Sequence, residues 1–273
     1  MKILVIGDIV GRPGRRALQE LVPGLRREYG IALTIANGEN AAHGFGITRD
    51  VAQEILAAGV DVITTGNHVW NKKEAERLVA EEPRVLRPAN FPPGTPGAGS
   101  GVYPAAGGQP VGVVNLCGRI FMEPLDCPFR VGRAEVERLR QATPVVLVDM
   151  HAEATSEKLA MVWHLDGQAS AVFGTHTHVA TADARVTPRG TAAISDLGMT
   201  GPRDSILGIA PEVVVRRFLT QMPMRFDPAP GPVVLSGVVL DIDEANGRAR
   251  GIERLERTVG VPDTEPDTER EDP

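Results

Sequence analysis

Residues 169–178 read ASAVFGTHTH, a short apolar run followed by a glycine and two histidines. The run from Ala169 to Phe173 predicts a buried strand, with a turn directly after it. Such a turn can direct the imidazoles of His176 and His178 toward one point. Alone, a His-x-His pair supports a metal site only weakly, because two histidines on an extended segment often share no role.

Four other strand-like runs also end in side chains that can bind metal ions. Their ends are Gly7-Asp8, Gly38-Glu39-Asn40, Gly66-Asn67-His68 and Asp149-Met150-His151. In α/β folds, ligands bind beyond the carboxyl ends of the strands. Five strand ends that carry Asp, Glu, Asn and His are difficult to explain by packing. We therefore interpret them as a site for two metal ions.

The rest of the chain alternates apolar runs with amphipathic segments. Strands are predicted at residues 2–6, 31–36, 60–64, 111–116, 145–148 and 169–173, and helices at about 15–29, 48–59, 72–81, 132–141, 155–164 and 211–219. Pro23 is expected to break the first helix, and Thr48 is expected to cap the second. This rhythm predicts a parallel sheet covered by helices. Two hairpins are predicted later, at residues 184–194 and 233–255.

The segment from Cys117 to Arg130 departs from this rhythm. It has no clear period, and it carries Phe121, Met122 and Phe129 beside Arg119 and Arg130. We interpret it as a lid or a subunit contact, with an ordinary surface loop as the alternative. A single domain is expected over residues 1–260, followed by a disordered acidic tail over residues 261–273, which lacks the apolar residues of a core.

Composition limits the class of protein. The 273 residues are 42% hydrophobic and 23% charged, as in a globular protein with a full core. A net charge of −6 argues against broad nucleic-acid binding, although bound metals could still attract a small anionic substrate. Cys117 and Cys127 fit no zinc motif and are expected to be free thiols.

The sequence also gives an expectation about location. No apolar run approaches the ~20 residues that a membrane span needs. The chain enters a predicted strand at Lys2 without the pattern of a signal peptide. We therefore expect a cytoplasmic protein that does not bind a membrane.

The residue types at the strand ends suit borderline metal ions. A carboxylate such as Glu39 can bridge two cations by giving one oxygen to each. The amide oxygens of Asn40 and Asn67 are neutral ligands. His68, next to Asn67, would point elsewhere, either to a metal or to a reacting group. Near His151, Asp149 and Glu153 are close enough in sequence to act as its partners.

These motifs resemble those of the calcineurin-like metallophosphoesterases, and more closely their YmdB-like bacterial branch of cyclic-nucleotide phosphodiesterases. The resemblance extends from Met1 to about Leu255. It rests on five motifs in order, Gly7-Asp8-Ile9-Val10-Gly11, Asn37-Gly38-Glu39-Asn40, Thr65-Gly66-Asn67-His68-Val69-Trp70, Asp149-Met150-His151-Ala152-Glu153 and Gly174-Thr175-His176-Thr177-His178. Residues 118–129 are also similar to that branch. The resemblance implies an α/β sandwich with central β-sheets flanked by helices.

The resemblance also implies a role for each site residue. One metal ion would be bound by Asp8, Asn40 and His178, a second by Asn67, His151 and His176, with Glu39 bridging them. A hydroxide held between the ions would attack a small phosphodiester, most suitably a 2′,3′-cyclic nucleotide. His68 would protonate the leaving alkoxide.

The sequence departs from the wider superfamily at two positions. Val10 stands where a histidine ligand is usual, and Glu39 stands where an aspartate is usual. Asn40 could compensate for the missing histidine, and the site is then richer in oxygen ligands. We expect Fe or Mn, with Zn also compatible.

Two other functions stay open. One is a metal-dependent amidohydrolase, because these enzymes also use a His-x-His motif. In them the motif usually follows the first strand of a barrel, but in this chain it comes late. The second alternative is a regulatory protein that binds a nucleotide or a metal with weak turnover.

The expected partner is a small phosphodiester, and a homo-oligomer is left open.

Overall fold

The structure, a computed structural model, describes residues 1–259, so the predicted acidic tail lies outside the described part of the chain. The strands are β1 (Lys2–Ile6), β2 (Asp8–Ile9), β3 (Ile31–Asn37), β4 (Val62–Thr64), β5 (Val85–Leu86), β6 (Ser100–Pro104), β7 (Pro110–Cys117), β8 (Val146–His151), β9 (Ala171–Thr175), β10 (Arg185–Val186), β11 (Ala192–Ile194), β12 (Met199–Pro202), β13 (Val233–Ile242) and β14 (Ala249–Val259). The helices are α1 (Gly11–Tyr29), α2 (Arg49–Ala57), α3 (Ala75–Glu81), α4 (Pro128–Leu139), α5 (Thr155–His164) and α6 (Pro211–Thr220).

The strands form two sheets that pack face to face. The first has the order β2-β12-β13-β1-β3-β4-β5, with β14 paired to β13, and the second has the order β10-β11-β9-β8-β7-β6. Strands β1, β3, β4 and β5 run parallel in the first sheet, and β7, β8, β9 and β11 run parallel in the second. Because parallel strands end at the same edge, each sheet gathers several loops at one side of the molecule.

The apolar strands are buried on both faces. In β1, Ile3 and Val5 belong to the core between the two sheets, whereas Leu4 and Ile6 belong to the core beneath the outer helices. A third apolar cluster fills the space between the second sheet and its helices, α4 and α5. Strands that are covered on both sides read as continuous apolar runs, which is why the sequence revealed them.

The first helix contradicts one expectation. A break at Pro23 was predicted, and this was wrong, since α1 continues through Pro23 to Tyr29. Proline has no backbone N–H, so the carbonyl of Gln19 loses its helical hydrogen bond. Gln19 and Pro23 are both exposed, so water can donate a hydrogen bond to that carbonyl instead. On the opposite side, Leu18 and Val22 are buried against the sheet and hold the helix together.

Other details of the elements either match the sequence prediction or shift its boundaries. Thr48 caps α2 as expected, because its hydroxyl oxygen accepts a hydrogen bond of 3.3 Å from the amide of Val51. Strand β8 continues through His151, which was expected to lie beyond the strand. Helix α4 begins at Pro128, so only residues 118–127 of the irregular segment are loop. Both cysteines are free, as predicted. In residues 1–259, no helix combines the length and the apolar character that a membrane crossing requires.

Candidate metal centre

The predicted site residues come together at the edge of the sandwich where parallel strands of both sheets end. The first sheet contributes Asp8 at the start of β2, directly after β1, together with Glu39 and Asn40 after β3, and Asn67 and His68 after β4. The second sheet contributes His151 at the end of β8, and His176 and His178 after β9. Contacts between the two groups, described below, place these side chains around one point.

One half of the cluster surrounds His151. Its Nε2 lies 3.1 Å from Oε1 of Glu39, 3.0 Å from Oδ1 of Asn67 and 3.1 Å from Nδ1 of His176. A ring nitrogen carries at most one proton and cannot satisfy three such partners. Ligand atoms of Glu39, His151 and His176 all lie within 4.8 Å of one another. A cation among these atoms would satisfy them together.

The other half of the cluster contains Asp8, Asn40 and His178. Nδ2 of Asn40 lies 3.0 Å from Nε2 of His178 and 3.2 Å from Oε1 of Glu39. Oδ1 of Asp8 lies 3.9 Å from Nε2 of His178. Glu39 thus contacts both halves through the same oxygen atom.

Two oxygen atoms in this half show whether its residues fit a bound metal ion. Oδ1 of Asp8 and Oδ1 of Asn40 are buried and have no hydrogen-bond partner among residues 1–259. A buried polar atom without a partner is costly, and a carboxylate oxygen especially so. Because both atoms belong to predicted ligands, the residues fit the binding of metal ions.

Gly66 leaves space for the cluster. A Cβ atom at this position would lie 2.2 Å from Nε2 of His151 and 2.4 Å from Oε2 of Glu39. Only glycine therefore lets the loop after β4 pass so close to these two side chains. This close approach explains why a glycine precedes Asn67 in the sequence motif.

Burial and charge shift the pKa values of the cluster in different directions. Burial is the main influence on Asp8 and raises its pKa to about 6. Burial also acts on Glu39, but its positive neighbours, chiefly His151, outweigh it and lower the pKa to about 2. Burial opposes the protonation of His151, yet the carboxylates around it, Glu39 first, raise its pKa to about 9. Burial, followed by the charge of His151, lowers the pKa of His176 to about 3. A cation bound here would displace the proton of His151.

The turn that carries two of the histidines is strained. His176 has a φ of 97° and His178 a φ of 65°, in the left-handed region that residues other than glycine rarely adopt. Such conformations cost about 1–3 kcal/mol each and persist where the surroundings impose them. The chain therefore holds this turn in place through other contacts.

Asp149 supports the site through a threonine. The hydroxyl of Thr175 donates to Oδ1 of Asp149 at 2.7 Å, and its oxygen lies 2.9 Å from Nδ1 of His151. Thr64 donates to the other carboxylate oxygen of Asp149 at 2.5 Å. In the parallel register, Thr175 lies opposite His151, which places the hydroxyl beside the ring. Sequence reasoning did not single out Thr175, although its place directly before His176 was a usable signal.

Glu153 lies next to a different histidine from the one expected. Its Oε2 atom lies 3.1 Å from Nε2 of His176, whereas the sequence suggested a contact with His151. The reason is that His151 is the last residue of β8, so the chain has turned away before it reaches residue 153.

His68 lies beside the cluster with its backbone tied to Glu39. Its amide donates to Oε2 of Glu39 at 3.0 Å. Its ring packs edge-on against Phe45, with ring centroids 5.1 Å apart, and its Nδ1 lies 3.2 Å from Nδ2 of Asn71. The half-buried ring is thus oriented by neighbours outside the group of predicted ligands.

Comparison with solved structures identifies the class. A hypothetical protein from Thermus thermophilus is 44% identical, with a TM-score of 0.86, covering 96% of this chain and 100% of that one. A novel phosphatase from Mycoplasma pneumoniae is 32% identical, with a TM-score of 0.88, covering 96% and 95%. The predicted metallophosphoesterase sandwich, with central sheets between helices, is therefore confirmed.

Comparison of sequences identifies the family. A family model described as YmdB-like protein matches residues 4–255. A Bacillus subtilis (strain 168) protein named 2′,3′-cyclic-nucleotide 2′-phosphodiesterase is 51% identical over 255 residues, 93% of this chain and 96% of that protein. The chain belongs to the YmdB-like family, as its five motifs predicted.

Proposed function

We propose that the protein is a metal-dependent phosphodiesterase that hydrolyses 2′,3′-cyclic nucleotides. The observation that carries this proposal is that buried oxygens of Asp8 and Asn40, two of seven predicted ligands, have no hydrogen-bond partner among the described residues 1–259. The name of the Bacillus subtilis relative supports the choice of substrate. The alternative of an amidohydrolase loses its main support, because the fold is a two-sheet sandwich and not a barrel.

We propose two metal sites that share Glu39. One set of ligands is Asp8, Asn40 and His178, and the other is Asn67, His151 and His176. Contacts of Oε1 of Glu39 with both sets support a bridging role. When bound, the ions would polarise the phosphoryl oxygens and make a water molecule a stronger nucleophile. The mixture of carboxylate, amide and imidazole ligands favours Fe or Mn and is compatible with Zn.

We assign the proton donor to His68. A ribose alkoxide is a strong base and leaves poorly unless it is protonated. The hydrogen bond from the His68 amide to Glu39 holds this residue at the rim of the ligand cluster. Phe45 and Asn71 orient its ring without occupying both ring nitrogens, so one nitrogen can serve the leaving group.

Residues 118–127 are our candidate for contact with the nucleoside. The Glu157 carboxylate accepts hydrogen bonds from the amides of Arg119 and Ile120 and so holds the start of this loop. The sulfur of Met122 accepts a hydrogen bond of 3.3 Å from the amide of Glu153, whose carboxylate contacts the cluster through a histidine. Phe121, between these two anchors, is 91% exposed and could stack on a base.

A substrate screen tests the proposed function. Metal-free protein is supplied with Mn²⁺ or Fe²⁺ and offered 2′,3′-cyclic AMP, 3′,5′-cyclic AMP, a nitrophenyl phosphomonoester and a bis-nitrophenyl diester. We expect metal-dependent turnover of diesters, fastest with the 2′,3′-cyclic nucleotide. Nucleotide binding without turnover would instead favour the regulatory alternative, and faster turnover of the monoester would contradict the assigned substrate class.

A further inference from the structure

Asp196 is buried next to the cluster, and the proposed function gives it no role. It is 1% exposed, and its Oδ2 accepts a hydrogen bond of 2.6 Å from Nζ of Lys158, which is 2% exposed. Replacing a buried ion pair with apolar residues is often neutral or stabilising. This pair therefore calls for a reason other than stability.

The first contact that suggests a reason is with Thr177. Oδ2 of Asp196 also accepts hydrogen bonds from the Thr177 hydroxyl at 2.7 Å and from its amide at 3.2 Å. Thr177 is the residue between His176 and His178, whose backbones are both left-handed. Asp196 thus fixes the centre of the strained turn from which both imidazoles project.

The second contact leads to Asp8. Oδ1 of Asp196 accepts a hydrogen bond of 2.8 Å from the amide of Gly198, and the carbonyl of Gly198 accepts one of 3.1 Å from the amide of Asp8. Through one carboxylate, the histidine turn of the second sheet is linked to the strand end that carries Asp8 in the first.

Gly174 permits the close approach that this arrangement needs. A Cβ atom there would lie 1.9 Å from the carbonyl oxygen of Ser195 and 2.7 Å from Cδ of Lys158. The glycine before the histidine turn therefore lets the Lys158 side chain pass beneath the turn to reach Asp196.

We propose that Asp196, paired with Lys158, is a positioning residue for the metal ligands His176, His178 and Asp8. This inference rests on the proposed function. A carboxylate can accept several strong hydrogen bonds at once, so it can impose the turn geometry. Lys158 balances the charge of Asp196. The Asp196 carboxylate therefore adds no net negative charge beside the carboxylates of Asp8 and Glu39.

Metal binding by variants of this contact tests the proposal. Metal-free wild-type, Asp196→Asn, Thr177→Val and Thr177→Ser proteins are titrated with Mn²⁺ by calorimetry, and the Co²⁺ absorption spectrum reports ligand geometry. We expect Asp196→Asn and Thr177→Val to lose about 10- to 100-fold in metal affinity, the usual effect of removing a partner of a metal ligand. Thr177→Ser keeps the hydroxyl and should retain most of the affinity and the Co²⁺ spectrum.

Matched controls separate positioning from general stability. Asp61 also accepts hydrogen bonds from the Arg26 side chain, at 2.6 Å, and from the Thr34 amide, at 2.7 Å. It lies at the amino end of β4, the opposite end of the strand from the ligand cluster. Thr143 is a buried threonine before β8, with its hydroxyl bonded to the carbonyl of Pro110 at 2.7 Å. Asp61→Asn and Thr143→Val should lower thermal stability without weakening Mn²⁺ binding.

Each outcome bears on a distinct claim. If Asp196→Asn does not fold because Lys158 is left unpaired, the double variant Lys158→Met with Asp196→Asn removes that charge and carries the same expectation. Wild-type Mn²⁺ affinity and Co²⁺ spectra in Thr177→Val and in the folded Asp196 variant would overturn this proposal alone. A wild-type protein that binds no metal would overturn the proposed function together with it.

Discussion

Nε2 of His151 lies 3.1 Å from Oε1 of Glu39, although the two residues come from different sheets of the sandwich. This contact joins the loop after β3 to the end of β8 at the edge where both sheets gather their parallel strands. The proposed metal centre depends on it, because neither sheet alone supplies a complete set of ligands.

Gly66→Ala tests how tightly this contact is enclosed. The added methyl group would overlap the His151 ring and the Glu39 carboxylate, so we expect metal binding and turnover to be lost with little change in circular dichroism. Gly24→Ala is the matched control, because a Cβ there meets nothing within 4 Å. It lies inside α1 and should stabilise the protein by about 0.5–1 kcal/mol. Full Mn²⁺ occupancy in Gly66→Ala would contradict the described geometry.

His68→Ala tests the assignment of the proton donor. A general acid contributes about 10²–10⁴-fold, and it matters only when the leaving oxygen is strongly basic. We expect the variant to keep its metals, to lose most activity on 2′,3′-cyclic AMP, and to retain much more on bis-nitrophenyl phosphate, whose nitrophenolate leaves unaided. Loss of metal, or equal losses on both substrates, would make His68 a ligand or a structural residue instead.

Phe121→Ala tests whether residues 118–127 select the substrate. Removing the exposed ring should raise KM for cyclic nucleotides and leave hydrolysis of bis-nitrophenyl phosphate nearly unchanged, because base stacking contributes to binding and not to chemistry. Trp163→Ala, at the far end of α5 and 56% exposed, provides a control for the loss of a surface aromatic residue. Equal effects of Phe121→Ala on all substrates would count against a role in specificity.

The two cysteines should differ in reactivity. Burial opposes ionisation of Cys127, but the backbone N–H groups at the start of α4 outweigh it and lower the pKa of this thiol. Burial raises the pKa of Cys117 well above the ordinary thiol value. Because the thiolate is the reactive form, iodoacetamide at neutral pH should label Cys127 first, as followed by mass spectrometry. Equal labelling rates in the folded protein would contradict this prediction. In denaturant, which removes the difference in environment, we expect equal rates as the control.

The sequence located most of the central strands because they are buried on both faces. Its rhythm predicted one parallel sheet, whereas the structure has two sheets that also contain antiparallel strands, and the sandwich itself was implied only by the family resemblance. Apolar runs such as Lys2–Ile6 need no long-range information to be recognised, and polar clusters at their ends indicated the functional edge. The short strands Val85–Leu86 and Met199–Pro202 were missed, because they show no period of their own and belong to no predicted hairpin, unlike the similarly short β10 and β11.

Long-range contacts set the limit of the site prediction. Asp196 was missed because residues 184–194 suggested only a hairpin, whose second strand would run antiparallel. In the structure β11 also pairs in parallel with β9, so its carboxyl end reaches the same edge as the histidine turn. The continuity of α1 through Pro23 likewise depends on packing that the local sequence does not contain. The cytoplasmic location and the two-ion stoichiometry stay predictions, and the assembly state stays open.

The most direct test of the central claim is a titration of metal-free protein with Mn²⁺, in which bound metal and turnover of 2′,3′-cyclic AMP are measured in the same samples. We predict no turnover before metal is added, and a rise that saturates at about two ions per chain, as in a two-metal site. Glu39→Gln and Asp8→Asn should fold, lose the pair of ions and remain inactive. Turnover by the metal-free wild-type protein, or wild-type occupancy and rate in Glu39→Gln, would contradict the account.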